Sequence, residues 1–415
     1  MATPASSPKP GERYPSLGEF VALVASMMAI VALSIDNLLP AFVPMQQYFE
    51  LHDANEVQLV ISSYMAGFAV SQLFYGPLSD AVGRRPAMLL GMAIYTVGTG
   101  LATVASSFDA LLFARMVQGV GAAAARILVM TIVRDRFEGR EMARVMSFVM
   151  MIFIIAPVIA PASGAFILML GDWRLIFVFM MVLGLGLTVW FWLRMPETLH
   201  PEYRMKPSSK VFAAGIMRCC TNRMSFSYTF AIGLMMGALM AYINSAQQIF
   251  ETEVYGLGDL FPLVFALIAG VMGVASFVNA RLVRRYGMHK MSHTGIIAFT
   301  LVALVQLLAS IWYAGHTPLV LFCLLLALAH FIFSLTVPNF NALAMSPMGD
   351  IAGTASSFMG FFTTIVSAVI GLVVGQAFDG TVLPLAFSYF VLSALSMLVV
   401  LWGERGRFFH GSSNQ

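Results

Sequence analysis

The feature that most constrains this chain is a series of apolar runs that recurs along its whole length. Each run has about 20 residues, the length that an α-helix needs to cross the hydrocarbon core of a bilayer. Charged residues make up only 10% of the chain, against about 25% in soluble domains. Because no soluble fold can bury so much apolar surface, the sequence predicts an all-α membrane protein. Its expected helices lie at residues 17–42, 56–75, 87–105, 109–133, 144–168, 173–193, 224–249, 260–280, 293–313, 318–342, 354–378 and 382–402.

The longest polar break divides these twelve helices into six and six. The two halves also share short patterns. Leu78–Gly83 and Leu282–Gly287 both read Leu, four residues, Gly, and Ser-Phe recurs at 147–148 and 357–358. Six plus six helices with a parallel repeat is a transporter layout, with the substrate site expected between the halves. The predicted domains are an N-terminal half at 1–193, a cytoplasmic loop at 194–223 and a C-terminal half with a short tail at 224–415.

The basic residues predict the orientation. If the amino terminus is cytoplasmic, all but three of the 23 Lys and Arg residues lie on the cytoplasmic side or in loops facing it. Two of the exceptions, Arg115 and Arg126, fall inside the fourth expected helix, and Arg174 alone is outside. We therefore expect a multi-pass protein of the cell inner membrane with both termini in the cytoplasm.

Several function classes are disfavoured by what the sequence lacks. The net charge of +3 suggests no nucleic-acid partner, and the three cysteines have no metal or redox spacing. The first sixteen residues lack the apolar segment of a signal peptide. The chain has no Walker A, H-E-x-x-H or G-x-S-x-G motif, so we expect neither an ATPase nor an enzyme, and no cofactor or metal.

Five stretches carry a resemblance to a known family. "GPLSDAVGRRP" (Gly76–Pro86) resembles the signature loop of the major facilitator superfamily, and "RMVQGVGAA" (Arg115–Ala123) resembles its helix 4 motif. "APVIAPASG" (Ala156–Gly164) is similar to the helix 5 motif of its drug–proton antiporters. "DNLLPA" (Asp36–Ala41) and "DWRLIF" (Asp172–Phe177) resemble the Bcr/CflA drug-efflux group. The resemblance implies the twelve-helix major facilitator fold in two halves.

The signature loop is expected to act as a conformational latch. The residues that match the motif and would form it are Gly76, Asp80, Gly83, Arg84 and Arg85. Just past the second helix, the carboxylate of Asp80 can accept hydrogen bonds from a helix amino terminus of the other half, where the dipole is positive. Gly83 permits a tight turn. The alternative is a solvated turn that merely obeys the positive-inside pattern.

The helix 5 motif is expected to be a packing hinge. Pro157 and Pro161 each remove a backbone donor and bend the helix, while Gly164 and neighbouring small residues let helices approach closely. This sequence departs from the usual pattern at Ala160, where a glycine normally precedes the second proline.

One acid lies clearly inside an apolar run. In "SIDNLLP", Asp36 is six residues from the outer end of the first helix, and Arg115 is six from the outer end of the fourth, so both lie about 9 Å deep. A carboxylate in a dry site favours its protonated form and a nearby arginine opposes this. The pair therefore predicts a proton switch. The alternatives are a structural ion pair, or an acid that simply reaches the membrane surface.

Other polar groups in the runs are candidates for a substrate cavity: Arg126, Gln118, Gln72, Asn244 and His330. Arg126 follows Arg115 by eleven residues, which places the two about 20° apart in helical phase and about 16 Å apart along the axis. Arg126 bonds backbone carbonyls, binds an anionic group of a substrate, or serves another role. His330 is either a hydrogen-bonded structural residue or a relay.

These features together predict a monomeric, proton-coupled secondary transporter that moves a small molecule across the bilayer. Efflux of lipophilic compounds or drugs is the first interpretation. A carrier of a specific anionic metabolite is the alternative, because the cavity is expected to contain two arginines but only one acid. A non-transporting receptor or a channel is the third, although a channel needs neither a latch nor a hinge.

Overall fold

The computed structural model describes residues 15–137, 139–200, 202, 204 and 209–406. Within these ranges every regular element is helical, and no strand occurs. The chain forms two compact units, Met1–Lys210 and Val211–Gln415. The helices of the first unit are α1 (Leu17–Asp36), α2 (Phe42–Tyr48), α3 (Leu59–Val82), α4 (Arg84–Thr103), α5 (Phe108–Arg136), α6 (Gly139–Leu168) and α7 (Arg174–Arg194).

Helix α8 (Ser209–Thr221) crosses the boundary between the two units, which lies after Lys210. The further helices of the second unit are α9 (Arg223–Gln247), α10 (Phe261–Tyr286), α11 (Met288–Trp312), α12 (Leu319–Met345), α13 (Ala352–Gln376) and α14 (Leu383–Gly403). The predicted limits of the two halves and of the loop between them stay predictions. The structure adds α8, a helix of 13 residues inside the stretch that was expected to be only a loop.

Eleven helical stretches in the described residues are long and apolar enough to cross a membrane. The first of them, Leu17–Tyr48, is interrupted after Asp36. The fifth expected helix corresponds to α6, whose described part includes a shorter apolar stretch, Ile155–Leu168. The described residues therefore show an all-helical, multi-pass membrane architecture.

The interruption of the first span follows from its prolines. Ser16 caps the start of α1 by accepting a hydrogen bond from the backbone N–H of Glu19 (3.3 Å). Four residues after Asp36 comes Pro40, which has no N–H to donate to the Asp36 carbonyl, so the α-helix ends there. The chain continues as a 3₁₀ turn, Leu39–Ala41, and then as α2. The acid thus lies at a break in a membrane helix.

Two predicted helix ends are wrong by about two turns. The second expected helix was ended at residue 75, but α3 continues to Val82 through Pro77. Asp80 therefore lies in the last turn of a helix and not beyond it. In the second unit α10 continues to Tyr286, past three arginines. Charged residues at the end of a span are compatible with a helix that leaves the bilayer, so apolar composition marks the membrane region and not the helix end.

The two units share one internal pattern of helix neighbours. In the first unit α5 packs on α3 and α4, α1 on α6, and α4 on α7. In the second, α12 packs on α10 and α11, α9 on α13, and α11 on α14. The repeated glycines occupy equivalent places: Gly83 separates α3 from α4 with φ of 111°, and Gly287 separates α10 from α11 with φ of 79°. The Leu-x₄-Gly repeat is therefore reflected in the backbone as well as in the sequence.

Close helix packing in the first unit depends on small residues. A Cβ placed on Gly119 of α5 would overlap the backbone carbonyl oxygen of Tyr64 in α3. The residues Ala122, Ala123, Ala124 and Ala125 that follow are fully buried. Without side chains between them the helix backbones approach closely and gain van der Waals contact, which replaces the hydrophobic effect inside a bilayer. Helix α5 is thereby held in the centre of its unit, with Arg115 buried.

Candidate functional site

A buried arginine clamp binds the break in the first membrane span. Arg115 is fully buried, and its Nη2 donates to the backbone carbonyl of Ser34 (2.8 Å). Its Nε donates to the carbonyl of Val60 (3.1 Å), and its Nη1 to Oε1 of Gln118. The guanidinium carbon also lies 4.5 Å from the ring centroid of Tyr64. Every face of this cation is therefore occupied by protein groups.

The Ser34 carbonyl needs that donor because α1 ends two residues later. The backbone N–H of Leu38 bonds to Ile35 (3.4 Å) instead of reaching back to Ser34, as the 3₁₀ turn begins. Carbonyls in the last turn of a helix have no partner within the helix, and in a bilayer an unsatisfied one is costly. Arg115 supplies the missing bond from a neighbouring helix.

Side chains of α1, α4 and α5 extend the clamp into a network. Nε2 of Gln118 donates to Oγ1 of Thr99 (2.9 Å), and Thr99 in turn donates to the carbonyl of Tyr95 (2.7 Å). The Tyr95 hydroxyl shares a hydrogen bond of 2.8 Å with Oγ of Ser34. Gln118, predicted to line a substrate cavity, is thus a buried member of a structural network around the helix break.

Asp36 is buried beside this clamp but does not pair with it. Its side chain is 4% exposed, and Oδ1 has no hydrogen-bond partner in the described part of the chain. Arg115 instead binds backbone carbonyls and Gln118. The suggested ion pair between Asp36 and Arg115 is therefore not formed in this structure. The estimate of depth assumed that the first helix runs to residue 42, but α1 ends at Asp36. The equal depth of the two residues therefore stays a prediction. The role of the two residues in proton coupling stays a prediction.

The helix 5 motif contacts the same break. Ser163 donates its hydroxyl to Oδ1 of Asn37, and a Cβ on Gly164 would overlap the Asn37 carbonyl oxygen. Pro157 and Pro161 lie inside α6, as expected. The hinge function of these residues stays a prediction, but their position is specific: the small face of the motif lies against the residue that follows the buried acid.

The remaining candidates of the first unit are Arg126 and Gln72. Arg126 is in α5, half-buried, three turns after Arg115. Gln72 is buried on α3, 2% exposed. Their assignment to a substrate cavity stays a prediction.

In the second unit the candidates form a polar and aromatic group. His330 of α12 shares a hydrogen bond of 3.2 Å between its Nε2 and the Tyr389 hydroxyl, and its ring lies 4.9 Å from that of Tyr242. Asn244 on α9 is 3% exposed, with no hydrogen-bond partner for Oδ1 among the described residues. His330 is accordingly anchored by tyrosines, whereas Asn244 retains an unsatisfied buried oxygen.

The second unit also has an acid at the point where α9 changes from an α-helix to a π-helix. Helix α9 continues as a π-helical turn, Gln248–Thr252, which carries Glu251. The carboxylate is half-buried, and its Oε2 has no hydrogen-bond partner in the described ranges. The sequence prediction ended this span at residue 249 and so treated Glu251 as a loop residue. Because π-turns are frequent at functional sites, Glu251 joins the list of candidates.

The signature loop forms an ion-pair cluster within the first unit. Arg84, nearly buried, pairs with Asp80 and donates from Nε to Oδ2 of Asp135 (2.9 Å) at the end of α5. It also donates to Oγ of Ser79 (2.7 Å), whose own hydroxyl bonds the Gly76 carbonyl (2.8 Å). Arg84 therefore ties the ends of α3, α4 and α5 together. The proposed contact of Asp80 with the other half stays a prediction.

Glu197 caps the helix that follows the loop. Its carboxylate accepts the backbone N–H groups of Arg84 (2.8 Å) and Arg85 (3.2 Å), the first residues of α4. A carboxylate at this position satisfies orphan amides and the positive end of the helix dipole. A Cβ on Gly83 would overlap this carboxylate, so the glycine is needed for the contact as well as for its positive φ. The Arg85 side chain donates to the carbonyl of Trp192 (2.6 Å).

The second unit has a different cluster near its corresponding end. Nδ1 of His289 and Nε2 of His293 lie 3.5 and 3.9 Å from Oε1 of Glu404. The Tyr228 hydroxyl donates to the same oxygen (2.7 Å). Burial raises the pKa of the Glu404 carboxyl, but its contacts with His289 and Tyr228 lower it more, so the pKa lies below its ordinary value. Glu404 is therefore ionised at neutral pH.

Sequence reasoning missed several of these residues for identifiable reasons. Asp135 is a charged residue at a helix end and Glu197 lies in the polar break. Their spacing in the sequence does not indicate which residues they contact. Asn37 lies next to the conspicuous acid but carries no charge. By contrast, His289 and His293 are four residues apart on one helix, a spacing that puts two imidazoles on one face and signals a shared ligand.

Comparison with known proteins now decides the family. The sequence profile described as Major Facilitator Superfamily matches residues 24–372, most of the chain. The chain belongs to the major facilitator superfamily. It is therefore a membrane transporter that carries its substrate without chemical conversion, and the expectation that it is not an enzyme is confirmed.

Relatives within the superfamily agree with the sequence resemblance. A bicyclomycin resistance protein homolog of Haemophilus influenzae is 26% identical over 91% of this chain and 94% of its own length. Multidrug resistance protein D of Escherichia coli is 27% identical over 84% of this chain and 86% of its own. The resemblance to drug-efflux members of the superfamily is thus confirmed as a similarity.

A solved structure confirms the fold at lower sequence identity. The proton:xylose symporter XylE superposes with a TM-score of 0.73 at 13% identity, over 94% of this chain and 95% of its own. At that identity the likeness speaks for the major facilitator architecture alone.

Proposed function

We propose that this protein is a proton-coupled secondary transporter that exports small lipophilic compounds by alternating access. The observation that carries the proposal is Asp36: a carboxyl group 4% exposed, with an unpartnered oxygen, at a break in a membrane helix. An ionisable group inside a membrane segment is costly and is retained where it has a function. The names of the resistance proteins from Haemophilus influenzae and Escherichia coli support drugs as the exported class.

The clamp explains how this acid can serve as a switch. Arg115 is held by two backbone carbonyls and Gln118, so its charge is near the break without neutralising Asp36 through a direct pair. Burial favours the protonated carboxyl and the nearby cation favours the ionised one. A change in water access at the break then alters the balance, and with it the binding of a proton. We propose that proton release and uptake at Asp36 drive the transport cycle.

The proposal includes the architecture around this site. With α6 counted as a span, the eleven apolar stretches become twelve membrane helices, six in each unit. An even number of spans and the distribution of arginines support cytoplasmic termini, and the bacterial relatives support the inner membrane. We propose that the protein works as a monomer, since each unit already contains its own packed helices.

The test of coupling is Asp36→Asn in proteoliposomes. The substitution keeps the size of the side chain but removes its ability to bind and release a proton. Uphill transport of bicyclomycin or of a lipophilic dye under a pH gradient should therefore be abolished. Exchange of substrate without net proton movement should remain. Asp109→Asn is the matched control, because Asp109 is an exposed acid in the first turn of α5. Full uphill transport by Asp36→Asn would refute the proposed coupling residue.

Arg126 supports a second candidate, a carrier of an anionic metabolite. It is a half-buried cation in the middle of α5, on nearly the same side of the helix as Arg115. Cations within membrane helices commonly mark substrate pathways. A carboxylate or phosphate on a substrate would gain a charge-assisted hydrogen bond with it.

Binding to the purified Arg126→Gln variant separates the two candidates. For an anion carrier, affinity for an anionic ligand should fall by at least about tenfold, or about 1.4 kcal/mol, with little effect on a neutral compound. For a drug exporter, neutral compounds should bind unchanged and cationic ones equally or better. An equal loss for anionic, neutral and cationic ligands would contradict both and make Arg126 a structural residue.

A further inference from the structure

The cluster of His289, His293, Glu404 and Tyr228 in the second unit is not used by the transport proposal. We infer that it is a binding site for a single divalent transition-metal cation of the zinc class. His289, His293 and Glu404 each offer one ligand atom, and these atoms all lie within 4.8 Å of one another. Two imidazoles and one carboxylate are a ligand set that zinc prefers, with the fourth position left for water.

The distances suit such an ion. Tetrahedral zinc with bonds of about 2.0–2.1 Å holds its ligands about 3.3 Å apart. Oε1 of Glu404 is 3.5 Å from Nδ1 of His289 and 3.9 Å from Nε2 of His293. Small rotations of the three side chains therefore bring their donor atoms to coordination distance. Both histidines lie on α11, four residues apart, so the helix presents them on one face.

Two further observations favour a ligand over a simple ion pair. Nδ1 of His289 is buried without a hydrogen-bond partner among the described residues, although a single carboxylate oxygen is its neighbour. The Tyr228 hydroxyl donates to Oε1 of Glu404 (2.7 Å) and lies 3.0 Å from Nε2 of His293, a contact that Nε2 gives up when it binds the ion. The hydroxyl is placed to orient the carboxylate from the second layer around the metal, a contact that strengthens metal sites.

Comparison with the first unit supports the same assignment. In that unit Glu197, a few residues beyond α7, accepts hydrogen bonds from the backbone amides that begin α4. Glu404, directly beyond α14, faces imidazoles instead, and α11 begins with Met288 and no such cap. The cluster is therefore not needed to cap the helix that follows the glycine turn.

The site is reachable and the neighbouring cations do not occupy it. Side-chain exposure is 31% for His289 and 14% for Glu404, whereas His293 is fully buried. Lys290 and Arg285 lie over the ring of Tyr286, at 5.6 and 5.4 Å from its centroid. An ion can enter from the end of the unit past His289. Once bound, it would link the start of α11 to the end of α14.

Metal binding to tag-free purified protein tests the inference. Zn²⁺ is titrated in competition with a chromophoric chelator, and Co²⁺ is titrated while its visible absorption is recorded. We expect one ion per chain and the intense visible bands of tetrahedral cobalt. His289→Ala and Glu404→Gln should each weaken binding by at least about tenfold, since removing a ligand costs more than removing a second-layer contact.

The controls are His316→Ala and the double variant Cys219→Ser/Cys220→Ser. His316 is exposed beyond the opposite end of α11, and the two cysteines are the thiols of α8 in the same unit. Both controls should bind zinc like the unaltered protein. The inference is overturned if the unaltered protein binds no stoichiometric zinc or cobalt, or if binding survives His289→Ala and is lost in the cysteine variant. Because His289 is partly exposed, we expect the His289→Ala variant to fold, which circular dichroism checks, so that its loss of binding is informative.

Discussion

At the scale of single residues, Arg115 forms hydrogen bonds with backbone carbonyls and not with the carboxylate of Asp36. One side chain satisfies two carbonyls and one amide oxygen on three helices, α1, α3 and α5. A guanidinium offers five donors in a rigid fork, and a lysine offers three on a compact ammonium. The site needs separate donors that point toward Ser34, Val60 and Gln118. A positive charge without this geometry would not satisfy all three acceptors.

Arg115→Lys should therefore destabilise the protein although it keeps the charge. At least one buried carbonyl or amide loses its partner, at a cost of about 1–3 kcal/mol for each group. We expect a lower midpoint of thermal unfolding in detergent and reduced transport. Arg194→Lys is the matched control, because Arg194 is half-exposed and pairs with Glu19 at the surface. Equal midpoints for Arg115→Lys and the unaltered protein would contradict the clamp.

At the scale of helices, close packing at Asn37 joins the break in the first span to the helix 5 motif. Helix α1 packs on α6, and Gly164 lies against the carbonyl of Asn37. Pro157 and Pro161 lie inside α6, and the glycine permits the approach. The motif thereby supports the segment that carries Asp36, which connects a packing feature to the proposed proton site.

Gly164→Ala should separate these two elements. The added methyl group meets backbone and not a flexible side chain, so α1 or α6 must shift, at a cost of about 1–3 kcal/mol. Thermal unfolding and pH-driven transport should both be impaired. In Gly186→Ala, the matched control on α7, a Cβ has no atom within 4 Å, and both measurements should be unchanged. Normal transport by Gly164→Ala would show that the close approach is dispensable.

At the scale of the whole molecule, the number of spans decides the orientation of the termini. Eleven stretches meet the apolar criterion in the described residues, and an odd number would put the two termini on opposite sides. If α6 also crosses, the count is even and both termini lie on the same side of the membrane, which the distribution of arginines places in the cytoplasm under the proposed topology. Its 30 residues are about 45 Å long, enough to span a bilayer.

Labelling of single cysteines in intact cells tests this count. In a variant without native cysteines, replacements at the exposed positions His52, Leu170 and His316 should react with a membrane-impermeant thiol reagent. A cysteine at Arg405 should react only after permeabilisation. Reaction of the Arg405 variant in intact cells, together with that of the His52 variant, would mean an odd number of spans and would contradict the proposed topology.

The sequence by itself determined the membrane class, the approximate spans and the family. Apolar length, basic residues and local motifs are properties of neighbouring positions, so they can be read without a fold. Only the tertiary structure decided that Arg115 binds Ser34 and Val60 instead of Asp36, that Glu197 caps α4, and that His289 and Glu404 meet. These contacts join residues far apart in the chain, and in a buried site each polar group takes the partner that packing brings nearest.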